Sequence, residues 1–128
     1  IKMGVSSIDD VLKYVDAEPL RHRLADCKAE HEKLEQEIQV LLDKYHDDGK
    51  EPSAMTKAMA QIKTNLKMAM NSSDETIASL MTDGCNMGVK YLNQYVNEYE
   101  AASEEAKDIT KRLINLEENL VIDIRDFL

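Results

Sequence analysis

A chain of 128 residues that is 43% hydrophobic is long enough to bury a core as a single domain without disulfide staples. Sixteen basic against twenty-five acidic residues leave a net charge of -9, which repels phosphate backbones and anionic lipid and speaks against a nucleic-acid partner. Four glycines and two prolines supply few turns, and no apolar run approaches the roughly 18 residues of a membrane span, so an all-helical chain without a membrane span is expected.

Met3 is a more natural start than Ile1, which places Ile1 and Lys2 ahead of the fold and gives one domain over residues 3–128. Gly4 would open a myristoylation motif, but Ile8 stands where that motif needs Ser or Thr. No signal-peptide core is visible, and two cysteines without CxxC spacing suit a reducing, cytoplasmic setting. Ser7, with Asp10 three residues on, is a candidate cap for a short first helix. Ile8, Val11, Leu12 and Val15 would form its apolar face, and it would end near Asp16.

The segment DAEP then starts a second helix, with Asp16 or Glu18 near the cap and Pro19 in the first turn. Its apolar stripe runs Leu20, Leu24, Cys27, His31, Leu34, Ile38, Leu41 and Tyr45, alternating steps of four and three residues as in bundle seams. HDDGKEPS, residues 46–53, reads as a loop. Met55, Met59, Ile62, Leu66 and Ala69 carry a third helix. It would break near Asn71, where Ser72 and Glu75 form a capping box.

A fourth helix is expected from about Asp74 to Tyr99, with Ile77, Leu80, Met81, Gly84, Gly88, Tyr91, Leu92, Tyr95 and Val96 on or beside its buried stripe. Ser103 ahead of Glu104 and Glu105 suits the next helix start. That last helix continues through Ile109, Leu113, Leu116, Leu120, Ile124 and Phe127 to the end of the chain. The pattern implies an all-α protein: an antiparallel up-and-down four-helix bundle with a short extra N-terminal helix. Fusion of the helices across residues 71–74 would instead make one long rod and force dimerisation.

Cys27 and His31 lie four residues apart on one stripe, the spacing of half a metal site and equally of two core residues. With Cys85 they could offer thiolate and imidazole to zinc, copper or iron. A stripe histidine is more often hydrogen-bonded core, and an isolated cysteine a small buried hydrophobe. A two-metal carboxylate centre needs two Glu-x-x-His pairs. Lys28, Pro19 and Asp43 occupy the positions three before His31, His22 and His46, so those pairs are missing. Phosphotransfer through His31 meets Glu30 and Glu32, which would repel a phosphoryl group. No phosphate-cradling glycine loop or nucleophile elbow is present, so the chain reads as non-enzymatic.

Lys57, Lys63 and Lys67 stand in a stretch, residues 52–72, that contains no acid. They are candidate partner contacts, although a basic helix can also complement acidic neighbours in its own bundle. Tyr91, Tyr95 and Tyr99 climb one helix at four-residue steps, as a partner surface or as the margin of the core, the latter being the commoner outcome. Gly84 and Gly88 within the same helix imply close helix approach or room for a bound group.

Residues 74–128, DETIASLMTDGCNMGVKYLNQYVNEYEAASEEAKDITKRLINLEENLVIDIRDFL, have a helix-break-helix texture that resembles the helical hairpins of small bacterial ferritin-like proteins of uncharacterised role. The resemblance implies an antiparallel bundle derived from metal-binding ancestors, and it carries over no ligand residues. The expected role is association, with a second copy or a protein partner. A metal-binding ferritin-like bundle built on Cys27 and His31 is the alternative.

Overall fold

The structure is a computed structural model and describes residues 1–45, 73–99 and 103–128. Those residues form four α-helices and no strand: α1 Lys2–Leu12, α2 Glu18–Lys44, α3 Asp74–Glu98 and α4 Glu104–Ile124, closed by a 3-10 turn over Arg125–Phe127. The described residues thus form an all-helical bundle. None of these helices is long and apolar enough to cross a membrane. The expected loop at residues 46–53 and the helix of Met55 to Ala69, with Lys57, Lys63 and Lys67, lie outside the described residues.

The first helix departs from expectation. It starts at Lys2, five residues before Ser7, and ends at Leu12 rather than near Asp16. Ser7 lies inside the helix, and the N-cap position is Ile1. The earlier start has a packing cause. Ile8, Val11 and Val15 enter the main core as foreseen, and the same helix face continues backward to Gly4 and Ile1. Ile1 then joins the second core cluster with Leu34, Ile109 and Leu113.

Helix α2 begins at Glu18 with Pro19 in its first turn, where the missing N–H costs nothing. No side chain of α2 caps this end. Instead the Asp74 carboxylate at the start of α3 accepts hydrogen bonds from the backbone N–H of Asp16 at 2.9 Å and of Ala17 at 3.0 Å. The Arg21 guanidinium donates to the Val15 carbonyl and closes the same turn. Leu20, Leu24, Cys27, His31 and Leu34 are buried, Ile38 and Leu41 are half-buried, and Tyr45 is exposed. Burial along the stripe therefore declines toward the C-terminal end of α2.

Helices α3 and α4 start where their serines direct. Ser73 Oγ accepts from the Thr76 N–H, and Ser103 Oγ accepts from the Ala106 N–H, both at 3.2 Å. Each cap of this kind contributes about 1 kcal/mol. Acidic pairs in the first turns, Asp74 with Glu75 and Glu104 with Glu105, meet the positive helix ends. The cap of α3 is Ser73, one residue beyond the expected Ser72. Its extended backbone separates α3 from whatever precedes it.

Helix α4 packs against both α2 and α3, and α1 lies on α2. The main core joins Ile8, Val11 and Val15 to Leu20, Leu24 and Cys27, to Ile77, Met81 and Cys85, and to Leu120 and Ile124. Between α2 and α4 the polar contacts link Arg23 to Asp123, His31 to Glu117, Glu37 to Arg112 and Lys44 to Glu105. Partner numbers fall along α4 as they rise along α2. The three surface pairs add little stability individually, so burial supplies most of the cohesion.

Asp74 ties the α1–α2 turn to α3 by two hydrogen bonds, beside the apolar contact of Val15 with the core. Replacing it with Ala is expected to cost about 1–3 kcal/mol, as charged hydrogen bonds to backbone donors do. Asn at this position should retain part of that stability. Urea denaturation of the two variants checks the order.

Candidate functional site

The chemistry-bearing side chains of the described residues meet at one buried point, reached by all four helices. His31 is 2% exposed, and Cys27 and Cys85 are buried free thiols. The helical repeat explains the first pair: a four-residue step sets Cys27 directly one turn before His31 on α2. His31 Nδ1 lies 2.8 Å from the Cys27 carbonyl oxygen, which can only accept, so Nδ1 carries a proton and donates it there. Cys27 Sγ flanks the same nitrogen at 3.5 Å.

The other ring nitrogen, Nε2, faces Glu117 Oε1 of α4 at 3.5 Å. Burial disfavours the imidazolium, but the Cys27 thiol, the Glu117 carboxylate and the Cys27 carbonyl outweigh it. Together they raise the His31 pKa from 6.5 to about 10. At neutral pH His31 is a cation paired with Glu117. Burial pushes the Cys85 thiol in the opposite functional direction, up to about 12, with Glu117 and Cys27 adding to the shift. Cys85 is therefore a neutral thiol and an unreactive one.

Two glycines seat the pair. A methyl group at Gly4 of α1 would lie 3.0 Å from His31 Cδ2 and Nε2, and one at Gly88 of α3 would overlap Glu117 Oε2. A side chain at Gly4 would press on the His31 ring, and one at Gly88 would have to push the Glu117 carboxylate aside. Gly84 differs: it is exposed, and nothing lies within 4 Å of the position its side chain would take. The buried stripe of α3 therefore passes through Cys85 and not, as expected, through Gly84.

Sequence reasoning brought Cys27, His31 and Cys85 to one core but missed Glu117. Its signal was its place in LEENL, four residues after Leu113 and three before Leu120, on the flank of a buried stripe. The cavity that a core-facing Gly88 must leave was the second sign. Glu117 Oε2 is buried and has no hydrogen-bond partner among the described residues. Among the same residues no three His, Cys, Asp or Glu side chains are grouped to hold a metal ion.

Tyr91, Tyr95 and Tyr99 stand apart from this cluster. They are 47%, 53% and 58% exposed, and with exposed Met87 they run along α3 at four-residue steps, outside the core rather than at its margin. The Tyr95 and Tyr99 rings are tilted on each other with centroids 6.2 Å apart, and Lys90 Nζ lies 5.8 Å from the centre of the Tyr91 ring.

Two outcomes follow from this geometry. Because the folded His31 pKa of about 10 exceeds its ordinary 6.5, the His31–Glu117 pair contributes its full stability below 6.5. That contribution is lost as pH rises through 10. Thermal melts of the parent chain should therefore fall from pH 7 to 9, and His31→Gln should flatten that slope. Cys85 adds its own loss only above pH 9, in both proteins. The glycines should separate in sign: Gly84→Ala is expected to stabilise by about 0.5–1 kcal/mol, whereas Gly88→Ala should destabilise by displacing the Glu117 carboxylate from His31. Chemical denaturation of the two variants reads both signs.

No family model matches the chain, and no curated protein or solved structure matches it, so the roles of these residues are read from their own geometry.

Proposed function

We propose that this protein is a non-enzymatic helical-bundle protein that acts by association through the outer face of α3. The observation that carries the reading is the exposure of Met87, Tyr91, Tyr95 and Tyr99 along one helix. Aromatic rings with a polar tip are enriched where proteins meet, since they bury large area and keep the hydroxyl wet. Three such rings, continued by Met87 at the same four-residue step, make a contiguous stripe rather than scattered surface apolarity. Self-association and a protein partner both fit this stripe. The opposed numbering of the α2 and α4 contacts supports an antiparallel up-and-down bundle as the scaffold. Two free thiols agree with a cytoplasmic setting.

A second reading, a metal-binding ferritin-like bundle using Cys27, His31 and Cys85 with zinc, copper or iron, draws on one feature of the core. His31 donates from Nδ1 to a backbone carbonyl, which is how histidines that bind metal through Nε2 are oriented. Against it stands the pairing of Nε2 with Glu117. Metal content after purification without chelator separates the two readings, because a metal-free protein with the parent melting temperature excludes the second.

The surface reading is tested by replacing Tyr91 and Tyr95 together with Ser. Exposed positions of this kind tolerate substitution within about 0.5 kcal/mol, so the melting curve should hold while association measured by sedimentation is lost. A loss of several kcal/mol would instead place both rings in a core.

A further inference from the structure

We propose that the α3 face binds a second copy of this chain, with two α3 helices running antiparallel across a twofold axis near Gln94. The proposal rests on the reading of α3 as the association surface and adds the identity of the partner. Its ground is charge. A protein of net charge -9 repels its own copies over most of its surface, so two copies can approach only through a face free of that repulsion. Residues 84–98 provide one, since in an otherwise highly charged chain they contain only Lys90 and Glu98.

Those two charges are of opposite sign and lie four residues to either side of Gln94. The helical rise separates them by about 12 Å along the axis, too far to pair within one helix. Laid antiparallel about Gln94, two α3 helices set Lys90 of each copy against Glu98 of the other, giving two equivalent contacts. This is the self-complementarity that a twofold interface demands.

The side chains point the right way for it. Glu98 lies three residues past Tyr95 and seven past Tyr91, on the same side of the helix. The Lys90 ammonium already rests beside the Tyr91 ring, and the exposed Tyr91 and Tyr95 rings flank the centre of the proposed contact. Asn93, Gln94 and Asn97, all exposed, would supply a polar rim without like-charge repulsion.

The test is a charge swap read by sedimentation velocity over a wide dilution series, with helicity checked by circular dichroism. The parent chain should dimerise as concentration rises. Lys90→Glu and Glu98→Lys should each shift it toward monomer, and the double swap K90E/E98K should restore the dimer, because only an intermolecular contact between these two positions is repaired by exchanging them. A parent chain that stays monomeric at every concentration overturns the second copy as partner while leaving the surface reading to the tyrosine variant. A dimer that ignores both single reversals overturns the antiparallel α3 contact. A dimer that also survives the Tyr91 and Tyr95 replacement overturns α3 as the association face altogether.

Discussion

The ion pair between His31 and Glu117 is the constraint around which the rest of the core is arranged. A carboxylate and an imidazolium inside a protein are tolerated only together, since either charge alone would face a desolvation cost of several kcal/mol with nothing to offset it. Their geometry then dictates what the neighbouring helices can carry. Gly4 leaves room for the ring, Gly88 leaves room for the carboxylate, and the Cys27 carbonyl orients the ring by accepting from Nδ1. Each of the four described helices contributes one necessary residue to the same point. Hydrophobic burial alone accepts many registers, because its attraction has no direction. A polar pair with two glycine seats accepts one, since a shift of one residue along α2 or α4 would bury both charges apart.

Acidic residues outnumber basic ones in every described helix, α3 included, where Asp74, Glu75, Asp83 and Glu98 stand against Lys90. On α2 and α4 short-range pairs such as Lys33 with Glu30 and Arg112 with Asp108 and Glu37 partly offset the surplus. In α3 the charges thin out toward the C-terminus, with only Lys90 and Glu98 over residues 84–98. One of its faces needs Gly88 and Cys85 to receive Glu117 and close the core. The opposite demand, a soluble outer face, is met in the other helices by Lys and Glu, yet in α3 it is met by Asn, Gln and Tyr. The same helix thus closes the interior and leaves a sparsely charged surface outside over residues 84–98.

Much of this was legible in the sequence, and the residues that were not share a cause. The stripes of α2 and α4, the Pro19 start, and the Ser103 cap follow from periodicity and local backbone chemistry, which a single chain segment contains in full. The burial of His31 followed from its place on a stripe. Glu117 did not, because a charged residue beside a stripe reads as solvent-facing until its partner on another helix is known. The start of α1 at Lys2 failed for the same reason: Ser7 offered a local cap, but docking of Gly4 on His31 and of Ile1 on the second core cluster is a tertiary gain that no cap rule includes. Gly84 and Gly88 look equivalent in sequence and differ only in what lies opposite them. Tyr91, Tyr95 and Tyr99 sit at spacing that fits a core edge. Their exposure depends on how far the core extends along α3, and the last residue of α3 buried in it is Cys85.

Perturbed titrations mark working sites and structural ion pairs alike. A general acid or base is useful when its pKa lies near the operating pH, so that it can take up and release a proton within one cycle. His31, near 10, holds its proton at neutral pH, and Cys85, near 12, holds its own. A metal would have to strip both, and would also have to break a charged pair around which two helices have given up their side chains. Among the described residues, this cluster ties α2 to α4 through His31 and Glu117. On the outside of the described helices, residues 84–98 of α3 are where sparse charge and exposed aromatic rings coincide, which is the ground of the proposed association.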